Sequence, residues 1–581
     1  MIDQIKVENP ELQMLKLNKE SGYKYRERRQ EDWHETYMLY RDTVKVNRLT
    51  QRQSVNLPLM KQTIRTLLKD LDDMPVIYFE NLDNDKDAEI FQNEYWKWTL
   101  DANNAEIKDI VDKRQEMLFG RSFDQMQIVD GKIVLTIEDP EDILVDRYTD
   151  PTDLDTARFV IHQHIFRPLA TLLANPMYDQ EAVKRLQEYY ASKEGLIKSA
   201  DNLASLQEKN KRLADLGLSD VDSPALGETY VELCLHFVYR ENDKDKEGKE
   251  YKEQLWLYVE CDNMEILMKK PLEEVIGVTK DNYWRNHFPY NSWADDVERQ
   301  DFWSDGIGDI VRTPNKVLNV WFSQLTENRT LRSFGMNYFD SSIEGFTPPS
   351  IDPEPWGWVG VPGKPSDVFQ KVDIPDLSES LDEMNFVIAM NDRATGATAT
   401  QQGVETARQV TLGEVQLALN EAKARTKGIT KFYTMAWKKR GEKFLKLIEA
   451  APDKLDAVKI YKKGRNTSDI YSREIAPKDW MAKSGYSVKV WSQDEKKSKD
   501  TQQLEKISAV SRMIPGNAKL TEILQRKALE FADLNPDEIN DIIRLENEKR
   551  DAMANMPPGM MPMAQPVAQP PVTGNAPQAL S

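Results

Sequence analysis

Between residues 306 and 450 the chain alternates helix with segments that cannot be helix, and this order constrains the fold more than any other feature. Residues 306–333 read as one helix, with Val317, Val320, Trp321 and Leu325 on one stripe. Residues 335–376 hold seven prolines and five glycines, too broken for helix, yet Trp356-Gly357-Trp358-Val359-Gly360-Val361 implies order. A second helix is expected over about 377–392. Then comes Ala394-Thr395-Gly396-Ala397-Thr398-Ala399-Thr400-Gln401-Gln402-Gly403, a small, uncharged loop. Residues 404–450 read as one helix roughly 70 Å long. Two helices flanking a compact knot are an odd thing for an enzyme to build; they suit a subunit whose helices line a ring, with the knot projecting from one end.

The rest of the chain reads as a mixed α+β body. Residues 1–30 are polar and read as an arm. Residues 31–74 are expected to be helical, with Pro58 in a first turn and Leu59, Ile64, Leu67, Leu68 and Leu71 at helical spacing. Val76 to Phe79 reads as a strand and residues 87–120 as one long helix. Asp130-Gly131 marks a hairpin between Gln127–Val129 and Lys132–Leu135. Further strands are expected at 143–145, 158–166, 231–240 and 254–259, with helix over 168–215. Residues 452–496 return to strand and loop, including Tyr486 to Trp491, and residues 499–550 are helical. Residues 552–581 carry no charge, seven prolines and five methionines, a composition that cannot bury a core.

With 581 residues, 40% hydrophobic and 30% charged, the chain has ample material for a packed core. Its net charge of −19 argues against whole-surface grip on nucleic acid, which needs cations to neutralise phosphates, but not against letting nucleic acid pass. Two cysteines, Cys234 and Cys261, exclude a disulfide scaffold and fit a reducing compartment. No apolar run is long enough for a membrane span, and the N-terminus has no signal-peptide h-region, so the expectation is a cytoplasmic product.

Recognisable chemistry is sparse. Gly360-Val361-Pro362-Gly363-Lys364-Pro365 has the wrong spacing for a P-loop, and Pro365 stands where the metal-binding hydroxyl belongs. The segment from Asp83 to Glu94 has acids at positions 1, 3, 5 and 12 of a calcium loop, but Ala88 replaces the turn glycine; helix capping is the preferred reading. Asp243 to Gly248 reads as a hairpin tip. His162 and His164 alternate along a strand and could share a metal, although a structural role is the commoner fate. Cys234 lies in an apolar strand, where burial is usual. No catalytic residue, metal site or cofactor is assigned. A nuclease would need a carboxylate cluster in a sheet context, and none can be defended.

The ordered set of segments resembles the portal protein of tailed bacteriophages, over about residues 30–550. Asn56-Leu57-Pro58-Leu59-Met60-Lys61-Gln62-Thr63-Ile64-Arg65, continuing to Met74-Pro75-Val76-Ile77, is similar to the early portal helix and following strand. Pro140-Glu141-Asp142-Ile143-Leu144-Val145-Asp146 is similar to a wing strand. Phe288-Pro289-Tyr290 through Asp301-Phe302-Trp303-Ser304-Asp305-Gly306, with Pro314, Asn319 and Asn328, is similar to the approach to the first stem helix. No single motif is diagnostic; the order carries the resemblance.

The resemblance implies an α+β, helix-rich portal fold with wing, stem, clip and crown, assembled as a closed ring, usually a dodecamer. Residues 1–30 would form an N-terminal arm and 31–305 the wing. Residues 306–334 and 377–393 would form the stem, and 335–376 the clip. Residues 394–403 would be a tunnel loop, 404–450 a long tunnel helix, 451–498 further wing strands, 499–551 the crown and 552–581 a disordered tail.

The implied function is a channel at one capsid vertex for DNA packaging, retention and ejection. The implied partners are double-stranded DNA, the terminase large subunit, an adaptor or head-completion protein, the major capsid protein and a scaffold protein, with no membrane and no cofactor. Hydrolysis belongs to the terminase. Thr395, Gly396, Thr398, Thr400, Gln401, Gln402 and Gly403 would face DNA without gripping it. Trp356, Trp358 and Phe369 would anchor clip contacts or the clip's own core.

The helix over 404–450 carries ten Lys/Arg against five Glu. Lys423, Arg425, Lys427 and Lys431 would contact DNA or neighbouring subunits, although a solvated or intersubunit salt-bridge face is the favoured reading of this basic excess, which also includes Lys438, Lys439 and Arg440. The competing identity is a viral structural or scaffold protein that forms no ring; it would share the acidity and long helices but needs neither the knot nor the small polar loop.

Overall fold

The computed structural model describes residues 9–42, 55–71, 74–83, 85–214, 228–241, 243–244, 248–334, 337–339, 369–371, 376–377, 380–397, 412–463, 470–477, 485–491 and 544–545. The chain divides into two units, Met1–Tyr461 with Ser472–Gln493, and Lys462–Tyr471 with Asp494–Ser581. The first unit is a mixed α+β body. The expected crown and C-terminal tail fall almost wholly outside the described residues.

Helix α1 (Pro10–Tyr40) starts at Asn9, whose side chain accepts from the Glu11 amide. No break falls at residue 30, so the polar arm expected over 1–30 is corrected from residue 10 onward. Its polar surface finds partners: Arg26 is buried against the Glu141 carbonyl, and Arg29 reaches Asp309 at 2.6 Å.

Helix α2 (Leu59–Asp70) follows, with Pro58 at the N-cap. Strand β1 (Val76–Asn81) leads to α3 (Lys86–Ala102), capped by Asp85, and α4 (Ala105–Phe119). The single helix expected over 87–120 is therefore two. Asn104 adopts a left-handed φ of 50°, and Asn103 turns its amide to the Ile133 carbonyl and Leu135 amide, trading helix continuity for a clamp on the next hairpin. That hairpin is β2 (Ser122–Val129) and β3 (Lys132–Glu138). Asp130 and Gly131 both have positive φ, the geometry of a tight primed turn.

Strands β4 (Ile143–Val145) and β5 (Phe159–Pro168) precede α5 (Leu169–Ala174), α6 (Gln180–Tyr190) and α7 (Lys193–Ala214). Then come β6 (Tyr230–Arg240), the short hairpin β7 (Asp243–Lys244) and β8 (Glu250–Tyr251), β9 (Gln254–Cys261), β10 (Glu265–Pro271), α8 (Leu272–Ile276) and β11 (Tyr290–Trp293). The chain continues through α9 (Ile307–Phe334), β12 (Asn337–Phe339), β13 (Phe369–Lys371), α10 (Ser380–Thr395) and α11 (Leu412–Ala450). It then passes β14 (Val458–Lys463), β15 (Ile470–Ile475) and β16 (Tyr486–Trp491).

The central sheet has the antiparallel order β10-β9-β6-β5-β4 and is buried on both faces. Leu233, Phe237, Leu257 and Val259 face one core; Val238, Trp256 and Tyr258 face another, covered by Leu12 and Leu15 of α1. A smaller sheet, β11-β2-β3, sits near α11. Strand β1 pairs with β16, from Val76↔Trp491 to Asn81↔Tyr486, and α11 lies against this pair. Gly441 gives a close approach there: an added Cβ would stand 3.0 Å from Val488 and 3.3 Å from Ile77, so those side chains would have to give by a few tenths of an ångström.

Candidate functional site

Helices α9 and α10 and the short β12–β13 ladder make up the part of the described residues with the most distinctive design. Helices α9 and α10 lie side by side: Val311 and Leu318 of α9 share a core with Met384 of α10, with Trp321, Leu325, Val387 and Ile388 alongside. At 28 residues α9 is about 42 Å long. At its far end, β12 pairs antiparallel with β13, Asn337↔Lys371 to Phe339↔Phe369. Arg332 and Asp376 close the same end with an ion pair at 2.6 Å. Residues 340–368 therefore leave and return through one two-stranded base. Phe369 is a residue of β13; Trp356, Trp358 and the 360–365 near-match to a P-loop lie outside the described residues.

A buried polar stripe fixes α9 to the body. The Asn315, Asn319 and Ser323 side chains recur every four residues and so share one face of the helix. Asn315 accepts from the Met60 amide at 2.8 Å, Asn319 from the Leu57 amide at 2.7 Å, and Ser323 from the Val55 amide at 3.1 Å. The stripe satisfies backbone donors where the chain enters α2. At the N-terminal end, Arg312 joins Asp309 and Asp32, and Lys316 joins Glu35 at 2.6 Å. Pro314 is tolerated inside the helix.

The first residues of the expected loop 394–403 belong to the end of a helix. Thr395 is the last residue of α10; it is buried, and its hydroxyl donates to the Asn391 carbonyl. Gly396 ends the helix with φ of 82°, its amide donating to Asp392, and Ala397 is fully buried. Within this chain Thr395 and Gly396 are thus a helix terminus rather than a free polar loop, because the end of α10 is itself part of the core. Thr398, Thr400, Gln401, Gln402 and Gly403 lie outside the described residues.

Lys423, Arg425, Lys427 and Lys431 are carried on α11, and Lys431 is exposed. Further along, the basic excess is spent within the chain. Lys439 pairs with Asp153, Lys446 with Asp281 and Glu449, and Lys438 lies near Glu442. Arg440 is buried between Asp112 of α4 and Asp124 of β2. Burial works against its charge, but the two carboxylates hold it firmly protonated. Lys443 donates to the Tyr290 carbonyl, and burial lowers its pKa. Beside Arg440, burial pushes Asp109 up to about 6 despite Lys113 at 2.7 Å. Glu116 and Asp295 are both raised, chiefly by burial; for Glu116 the nearby Asp295 charge adds to it.

The candidate metal residues of the sequence do not assemble. Asp85 accepts from the amides of Asp87 and Ala88 as the cap of α3, and the Glu89 carboxylate is taken by Tyr78, Lys86 and the Asn81 amide. His162 and His164 are separated by a bulge in β5, where His164 has φ of 59° and the register to β6 shifts. His162 bonds the Tyr290 hydroxyl at 2.9 Å, while His164 pairs with Glu232 at 3.0 Å. A different set does converge: Cys234, His236 and Glu260 bring their donor atoms within 4.8 Å of one another. Burial pushes the Cys234 thiol up to about 12 and lowers the His236 imidazole. Cys-x-His on a strand was visible in the sequence; the glutamate opposite required the β6–β9 register. No described helix is long and apolar enough to cross a membrane. No protein-family model matches the chain, and no curated protein matches it at a significant level.

Proposed function

We propose that this chain is the subunit of a phage-type portal: a closed ring, of twelve copies in the family it resembles, at one vertex of a capsid. The observation that carries the reading is the excursion 340–368, which leaves and returns through the β12–β13 base at the end of the paired helices α9 and α10. This fits the order stem, clip, stem that the resemblance implies. A second feature fits a ring. Ile310 and Val320 of α9, Leu381, Phe386 and Met390 of α10, and Phe432 and Met435 of α11 are exposed apolar side chains on these same helices. Head-to-tail contacts in a cyclic assembly would cover such faces.

In this reading DNA passes through the ring and the protein performs no hydrolysis; the terminase large subunit supplies the work. The channel wall must not hold phosphates tightly, since every contact would be broken at each step. A −19 subunit with an uncharged sequence over 398–403 meets that requirement. The clip would dock the terminase and then an adaptor or head-completion protein, and the wing would meet the major capsid and scaffold proteins. The protein would act in the host cytoplasm during assembly and at the portal vertex of the virion.

Electron microscopy of the purified chain, with class averages inspected for rotational symmetry, tests this. Rings with a central hole and near-twelvefold symmetry are expected. Filaments or compact dimers would overturn it in favour of a non-ring structural protein.

A further inference from the structure

We propose that Cys234, His236 and Glu260 form a binding site for a borderline-soft divalent transition metal of the zinc type, with a fourth position open beneath Lys19. The site is independent of the portal reading.

The placement follows from strand geometry. Cys234 and His236 are two apart on β6 and so share one face. Glu260 is the direct cross-strand partner of Cys234 on β9. The same face carries Val238, Trp256 and Tyr258 beneath α1, together with the charged Glu232, Arg240 and Lys269. Three metal-type donors are thus gathered at one point of a buried layer that is partly apolar and partly charged.

The distances suit coordination. Tetrahedral bonds of about 2.0–2.3 Å place donor atoms roughly 3.3–3.6 Å apart. His236 Nε2 and Glu260 Oε2 are already 3.0 Å apart, and all three donors lie within 4.8 Å. A second observation points the same way. The Glu260 side chain is 2% exposed, yet its Oε1 has no hydrogen-bond partner among the described residues. A buried carboxylate oxygen left unpaired at this depth is costly, and a coordinated cation would compensate it.

Charge and access are consistent. A divalent ion, one thiolate, one carboxylate and a neutral imidazole sum to zero, which a buried site requires. On binding, sulfur, nitrogen and oxygen each donate a lone pair to the ion, the Cys234 S–H bond breaks, and its proton leaves to water. At present the Lys19 ammonium donates to Cys234 Sγ at 3.1 Å and to Asn263 at 3.4 Å. It occupies the side from which an ion would arrive. Lys19 also lines a cleft with Lys16, Glu20, Tyr23, Gln163 and Asn263, and the proposal requires its flexible stem to turn into that space. The soft thiolate and the imidazole favour zinc over magnesium or calcium.

The test uses the purified full chain, stripped with a chelator and titrated with Co²⁺ as a spectroscopic substitute for Zn²⁺. One equivalent is expected to bind with a near-ultraviolet thiolate-to-cobalt band and visible bands of tetrahedral intensity, displaced by Zn²⁺. The thiolate band should vanish in Cys234→Ser and persist in Cys261→Ser; with only two cysteines in the chain, this pair assigns the ligand. A folded wild-type protein that shows no thiolate band, or a band that survives Cys234→Ser, overturns the proposal. Should Cys234→Ser fail to fold, alkylation of wild type mapped by mass spectrometry decides instead: Zn²⁺ should slow labelling of Cys234 at least tenfold, and an unchanged rate overturns the site.

Discussion

The Arg440 guanidinium, on the long helix α11, donates through Nε to Asp124 of β2 at 2.9 Å, with both side chains almost wholly buried. Asp112 takes the other side of the same guanidinium. A basic helix of the sequence is thereby locked into the α+β body by charge that no solvent screens.

Arg440→Ala leaves two buried carboxylates without their cation. The expected loss is about 3–5 kcal/mol, the range for breaking one side of a buried ion pair. Chemical denaturation measures it. In a double-mutant cycle, adding Asp124→Ala should cost clearly less in the Arg440→Ala background than in wild type. Strictly additive losses would show that the pair is not coupled.

Asp109 gives a pH signature. Its folded pKa of about 6 lies above the ordinary carboxylate value, because burial outweighs Lys113 and Arg440, with Asp112, Tyr433 and Trp437 completing its surroundings. The native state then holds a proton that the unfolded chain releases. Its contribution is fully present below about pH 4 and is lost as pH rises through about 6, with a span of at most about 3 kcal/mol. Asp109→Asn should remove that part of the slope. Urea midpoints at several pH values between 4 and 7 test it, and parallel curves for both proteins would contradict it.

Gly308 sits where α9 meets α4. A Cβ there would stand 2.5 Å from Thr36 and 2.6 Å from the Leu118 carbonyl. Gly308→Ala is expected to cost about 1–3 kcal/mol through overpacking. A thermal midpoint equal to wild type would mean that α9 can shift freely at its base.

Asn319→Ala removes the acceptor for the Leu57 amide while leaving the helix intact. Loss of this half-buried hydrogen bond is expected to cost about 0.5–1.5 kcal/mol. Hydrogen exchange should show the loss concentrated at residues 55–60; uniform weakening across the body would indicate another role.

Phe386 is 65% exposed on α10, so Phe386→Asp should barely alter the stability of the single chain. Under the portal reading it should abolish or severely weaken ring formation, measured by analytical ultracentrifugation against wild type. Intact rings would remove this face from the subunit interface.

Local chemistry in the sequence determined much of the element pattern. The helical spacing over 306–333, 377–392 and 404–450 corresponds to α9, α10 and the described α11, and Asp130-Gly131 alone specified the β2–β3 turn. These features depend on neighbours a few residues apart, which a single sequence displays. Tertiary structure decided the rest. It made residues 10–40 a helix, because the partners of Arg26 and Arg29 come from distant segments. It paired Val76 with Trp491, drew Thr395 into the core, and set Glu260 opposite Cys234. Each of these rests on burial and register between segments far apart in the chain. Residue type and spacing state what a side chain can bond; only the packed molecule decides which partner stands within reach.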